Sequence, residues 1–304
     1  MLNIISVILL ILLFVLLLTV WICMRVAKKV LHPRSKRKPL DVFPDQYQLP
    51  YQDVRFISAD NVLLRGWFIP KEGSDKTIIL MHGWGMNRGD IFKNTYFLHD
   101  LGYNLMYFDF RALGESGGTT SSIGYLEVRD VQAALAFLKE KYPQACKKIG
   151  LYGLSMGGMV AICEAAQNPE IACVVSEASY YSFRRVVSRW AWVHNRVPYL
   201  PLIPIVLHYI RKELNANPEH FSPRYNVSRI APRPIFIIHG RYDNLVPAAQ
   251  AKMLYKKAGQ PKQLWLVSGA KHNKCAEVGG FEYKQKLADF FKKSAIFFDF
   301  FFIF

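Results

Sequence analysis

An apolar run ending at Leu154 is followed by Ser155, with Gly153 and Gly157 two places to either side, and then by a helical stretch over 156–167. This is the G-x-S-x-G spacing of a nucleophile elbow, and its place between a strand-like and a helix-like run is what gives it meaning. The reason is steric. A serine stands proud at a strand-to-helix turn only where the backbone folds sharply beneath it, and the two glycines remove the β-carbons that would collide there. The helix that follows points its first amides and its positive dipole end at the serine oxygen. One local feature thus combines an alcohol with a place for negative charge, and the rest of the chain must supply a sheet to carry it.

The surrounding pattern does so. Strand-like runs at 54–58 and 63–69 bracket a turn at 59–61, and others follow at 77–82, 104–109, 171–175, 234–240 and 262–267. Helical stretches are expected over 90–101, 125–141, 247–258 and 282–293; in the second, Val128, Val131, Leu135 and Leu138 share one side. Strands alternating with helices at this spacing predict an α/β domain over 54–293, its central sheet mainly parallel with helices on both faces. Between the sixth and seventh core strands lies an insertion, 180–233, rich in aromatic and aliphatic residues such as Trp190, Trp192, Tyr199 and Leu200. It is read as a cap.

Residues 2–24 are almost entirely aliphatic, and about 20 apolar residues suffice to cross a bilayer as a helix. A cleaved signal peptide would start basic and end in small residues, and neither feature is present. The expected division is a transmembrane anchor over 1–25, a basic, proline-punctuated juxtamembrane linker over 26–53, the domain, and an apolar tail over 294–304. Arg25, Lys28, Lys29, Arg34, Lys36, Arg37 and Lys38 place the flank of this single-pass span, and the domain with it, on the cytoplasmic side. A glycosylation triplet at Asn226 points the other way but arises readily by chance. The net charge of +16 fits a membrane surface better than nucleic acid, since no nucleic-acid-binding motif accompanies it. The 5 cysteines show no disulfide or metal spacing, and Cys23 is a candidate for acylation beside the membrane.

A serine hydroxyl needs a base, and the base needs a carboxylate to fix its tautomer. Asp243 follows the strand ending at Gly240, and His272 follows the last strand. Both therefore sit on loops leaving the carboxyl ends of strands, where open α/β sheets bind ligands. The backbone N–H groups of Met156 and of Trp84, in the loop after the third strand, are the expected oxyanion donors. His82 and His239 are read as structural, Asp109 and Arg111 as braces for loops, and Cys275 lacks an elbow. The chemistry calls for no cofactor and no metal.

His82-Gly83-Trp84-Gly85, Phe108-Asp109-Phe110-Arg111 with Gly114-Glu115-Ser116, the Ser155 elbow, Asp243 and His272 together resemble the α/β-hydrolase superfamily. More narrowly they resemble its membrane-anchored bacterial branch of serine-aminopeptidase and monoacylglycerol-lipase type. The resemblance spans residues 54–293 and implies Ser155 as nucleophile, His272 as base and Asp243 as orienter. Ala112 departs from it, standing where relatives often carry glycine. The expected activity is hydrolysis of carboxylic esters, with lipid-like or acylated substrates suggested by the apolar cap. A serine peptidase would use the same residues, with a cap acid such as Glu213 or Glu219 gripping a substrate amino terminus. A non-catalytic membrane scaffold is the alternative of a different class.

Overall fold

The computed structural model describes residues 4–33 and 38–301, the side chains of 295–301 excepted. Arg34, Lys36 and Arg37 of the basic flank, and the side chains of the apolar tail beyond Ser294, lie outside the described residues. Eight strands form one sheet: β1 (Gln52–Ile57), β2 (Leu63–Ile69), β3 (Lys76–Met81), β4 (Asn104–Phe108), β5 (Lys148–Leu154), β6 (Ile171–Glu177), β7 (Ile235–Gly240) and β8 (Lys262–Val267), in spatial order β1-β2-β4-β3-β5-β6-β7-β8. The pairs from β4 to β8 are parallel, and β1 and β2 are added antiparallel at one edge. This is the α/β-hydrolase fold predicted from the sequence.

Helices α1 (Ile4–Leu31), α2 (Arg88–Thr95), α3 (Glu127–Lys141), α4 (Met156–Gln167), α5 (Phe183–Asn195), α6 (Leu202–Leu214), α7 (Pro223–Asn226), α8 (Ala249–Lys257) and α9 (Cys275–Phe301) complete the described chain. Strand periodicity sorts the core into two layers. Ile79, Met81, Ile235 and Ile237 face the side of α3, α4 and α8, while Ile78, Leu80, Phe236 and Ile238 face the side of α2 and α9. Helices α5 and α6 build the insertion over the carboxyl edge of the sheet.

Three boundaries differ from the sequence reading. Helix α1 continues to Leu31 instead of giving way to a linker after residue 25. Cys23, Ala27 and Val30 recur on one helical face, and with Leu31 they are buried among Ile203, Val206 and Ile210 of α6. Covering the Val30 and Leu31 side chains alone is worth a few kcal/mol, and the Leu31 carbonyl also accepts from Ser121 N–H at 2.8 Å. The Cys23 thiol is shut in beside the Leu202 carbonyl at 3.6 Å, which removes it as an acylation site in this conformation.

Residues 38–51, expected as linker, are a strap on the domain. Phe43 and Tyr51 lie against Trp67, and Tyr47 meets Phe92 edge-on at 5.2 Å. Asn87 donates to the Lys38 and Pro39 carbonyls, and Lys38 pairs with Asp90. A proline-punctuated stretch carrying three aromatic rings has apolar surface to bury, which a solvated linker lacks. Helix α9, finally, begins at Cys275 rather than near residue 282, with a non-helical Gly280 (φ 50°) kinking it. It runs on through most of the segment set apart as a tail.

Ala112 adopts φ 59°, which explains the preference for glycine there. The left-handed region costs an L-residue about 1–2 kcal/mol. The buried methyl of Ala112 returns roughly 0.8 kcal/mol of that, so the turn holds its shape. Asn226 of the glycosylation triplet sits in α7 with its amide donating to the Ser222 carbonyl.

Candidate active site

The elbow forms as its glycines predict. Ser155 closes β5 at φ 53° and ψ −108°, a conformation L-residues rarely hold, and α4 starts at the next residue. Its amide is held by the Glu177 carbonyl at 2.7 Å. A β-carbon on Gly153 would stand 2.0 Å from the Gly157 carbonyl oxygen, and one on Gly157 would stand 2.3 Å from that of Met81. These neighbours are main chain and cannot swing aside. Gly157→Ala is therefore expected to cost about 3 kcal/mol or more, seen as a lowered denaturation midpoint. A variant as stable as the parent would show that the turn has room for a methyl group.

Parallel pairing brings the ends of β3, β5, β6, β7 and β8 to one edge of the sheet. Asp243 leaves β7 there and His272 leaves β8. Ser155 Oγ lies 3.1 Å from His272 Nε2, and His272 Nδ1 lies 2.6 Å from Asp243 Oδ2. Asp243 is buried, and burial works to raise its carboxyl; hydrogen bonds from His239, His272 and the Val246 amide outweigh it and hold the group down at about 2. The ionised carboxylate accepts from the Leu245 and Val246 amides on its other oxygen. It can only accept at Oδ2, so Nδ1 of His272 must carry the proton, leaving Nε2 free to take the Ser155 hydroxyl hydrogen.

A cavity of about 260 Å³ opens over Ser155. Trp84, Met156 and His272 line it, together with Tyr180, Val187 and Trp190. Among the described residues neither the Trp84 nor the Met156 backbone N–H donates to another protein group, so both amides are available. The loop bearing Trp84 is pinned by His82: its Nε2 accepts from Phe110 N–H at 3.0 Å and its Nδ1–H donates to the Gly83 carbonyl at 2.7 Å. Burial lowers the His82 pKa, which keeps the ring neutral, as these bonds require. Asp109 and Arg111 brace neighbouring loops, Asp109 through Arg88 and Arg111 through Asp130 and Asp60.

The sequence-expected residues thus converge, and two others join them unforeseen. Val30, from the last turn of α1, forms part of the cavity wall. His239, fully buried, places Nε2 2.7 Å from the Val246 carbonyl and 3.3 Å from Asp243 Oδ2, so it shares the carboxylate oxygen used by His272. Its position four residues before Asp243 was visible, but no local pattern tells such a histidine from a core one. Glu213 and Glu219 do not reach the cavity: Glu213 faces His32, and Glu219 pairs with Arg224. Cys275 is buried, and burial pushes its thiol well up, away from nucleophilic range.

The profile of the family described as "Serine aminopeptidase, S33" matches residues 72–225. Among solved structures, an esterase of Pyrococcus furiosus, Pf2001, is 30% identical with a TM-score of 0.69, over 84% of this chain and 98% of that one. The protein YqkD of Bacillus subtilis is 26% identical over 82% of each chain. Protein bem46 of Schizosaccharomyces pombe is 25% identical over 87% of this chain and 84% of its own.

Proposed function

This chain belongs to the serine aminopeptidase S33 family, and from that premise and the site's geometry we propose that it is a serine hydrolase cleaving carboxylic esters. Ser155 attacks the ester carbonyl while His272 takes its proton and Asp243 fixes the imidazole. The tetrahedral oxyanion is held by the Trp84 and Met156 amides. The alcohol leaves with the proton returned by His272, and water then releases the acid from the acyl-serine by the same route in reverse. Pre-aimed amides are usually the largest catalytic contribution in such a step.

The observation that carries the ester reading is the cavity lining. It is mostly apolar, and among the described residues that line it there is no Asp or Glu. An aminopeptidase needs a negative group to hold the substrate ammonium, and its absence here favours an acyl chain. The Pyrococcus furiosus relative, an esterase, points the same way. Lipid-like or acylated substrates suit both the lining and α1, a helix long and apolar enough to cross a membrane.

Membrane anchoring by α1, with the domain on the cytoplasmic side, is part of the proposal. The burial of Cys23, Ala27, Val30 and Leu31 on the cap supports a helix that is retained, because its removal would strip the α6 face of its cover. Fluorophosphonate labelling of membranes tests the serine directly: wild type should label and Ser155→Ala should not. p-Nitrophenyl esters against aminoacyl p-nitroanilides then divide the two chemistries. Faster turnover of the anilides would move the assignment to a peptidase.

A further inference from the structure

Helix α5 separates two concavities. At about 100° per residue, Val186, Val187, Trp190 and His194 fall on the side lining the catalytic cavity, while Arg184, Arg185, Arg189 and Trp192 fall on the opposite side. That opposite side walls a groove of about 590 Å³, bounded across from it by Pro247 and the first residues of α8. No Asp or Glu lines the groove, and among the described residues none of the three arginines makes an ion pair. Neutral groups hold two of them instead. Arg189 Nε donates to the Asn244 carbonyl at 2.9 Å, and the Arg185 guanidinium lies 5.4 Å from the centre of the Tyr181 ring. The Glu219 carboxylate accepts from the Arg184 amide at 2.8 Å, but the guanidinium charge of Arg185 and Arg189 is positioned without a carboxylate partner, which suits a phosphate.

The groove's place in the fold bears on where a phosphate ligand would come from. Val197 and Tyr199 also line it, and Leu200 beside them is 70% exposed. Three residues after Tyr199, a reach of at most about 11 Å, the Leu202 carbonyl touches Cys23 of α1. Cys23 directly follows Trp21 and Ile22, the last residues of the exposed apolar stretch of α1. The Tyr199 side of the groove therefore lies within about 15 Å of Cys23, where the exposed apolar stretch of α1 ends. Leu200, Tyr199 and the exposed Trp192 are the residue types that enter a membrane interface.

Resting on the anchored reading of α1, we propose that this groove binds the phosphate of an anionic phospholipid in the adjoining leaflet. The contact seats the cap on the membrane and turns the catalytic cavity, with Val30 in its wall, toward the same lipid. Anionic headgroups raise the local concentration of such ligands at a cytoplasmic surface.

The full chain carrying Ser155→Ala, purified in an uncharged detergent, allows binding to be read without turnover. Titration with dihexanoylphosphatidylglycerol, followed by calorimetry, should show at least tenfold tighter binding than dihexanoylphosphatidylcholine. Arg184→Gln/Arg185→Gln, both at exposed positions, should lower it at least tenfold with an unchanged thermal midpoint; Arg185→Gln/Arg189→Gln is the second variant. Glycerol 3-phosphate should bind at least tenfold more weakly than the lipid. Equal affinity for the two lipids, or full binding by folded arginine variants, would overturn the proposal. Equal binding of glycerol 3-phosphate would replace the lipid by a soluble phosphate. Fluorophosphonate labelling of the Ser155 parent, and retention of the chain in carbonate-washed membranes, report on the hydrolase and anchor readings separately, so their failure is not confused with failure of the groove.

Discussion

Ser155→Ala is expected to lower kcat/KM toward a short p-nitrophenyl ester by about 10⁴-fold or more. The substitution removes one oxygen and little else. Alanine is no more strained than serine at φ 53°, and the neighbouring glycines, not the hydroxyl, make the turn possible. The fold should therefore persist, with an unchanged thermal midpoint. What is lost is the atom 3.1 Å from His272 Nε2, and with it the covalent route. Residual turnover above the water rate would come from the Trp84 and Met156 amides and from binding alone. A folded variant keeping more than a tenth of the parent rate would remove Ser155 from the mechanism.

Asp243→Asn is expected to lower kcat by about 10⁴-fold, by a different route. The carboxylate can only accept, which places the proton on His272 Nδ1. An asparagine amide presented to Nδ1 turns the ring to the other tautomer, and Nε2 then carries a hydrogen toward Ser155. The base is present but filled. The variant also bears on stability. The Asp243 carboxyl is held at about 2 against an ordinary 3.8, so its folded form is favoured when ionised. That contribution, about 2 kcal/mol for a fully buried side chain, is complete above the ordinary value and fades as pH falls from about 4 toward 2. Chemical denaturation of parent and variant should accordingly differ most near neutrality and converge in acid. A gap that widens on acidification would contradict the geometry, as would a variant with normal kcat.

Much of the site was legible because its signals are local. The elbow needs two glycines within five residues, and Asp243 and His272 each follow a recognisable strand, so parallel pairing had no choice but to bring them to one edge. The strand alternation of Ile78, Ile79, Leu80 and Met81 likewise fixed two core faces before any contact was known. Other features left no such mark. Residues 38–51 look like a linker by proline content, and only the presence of Trp67 and Phe92 opposite Phe43 and Tyr47 makes them part of the domain. His239 reads as one more buried histidine until Asp243 is placed beside it.

By itself the sequence determined the α/β alternation, the sharp turn at Ser155, the chain order of serine, aspartate and histidine, and an apolar N-terminal helix. Each follows from periodicity or turn chemistry within a few residues. Tertiary structure alone decided that this helix continues onto the cap and lends Val30 to the cavity wall, and that α5 turns one face to Ser155 and an arginine-bearing face away from it. An apolar helical face records that it must be covered but not by what, because dispersion and burial reward any well-fitting partner. The choice among partners is made only when segments far apart in the chain are brought together.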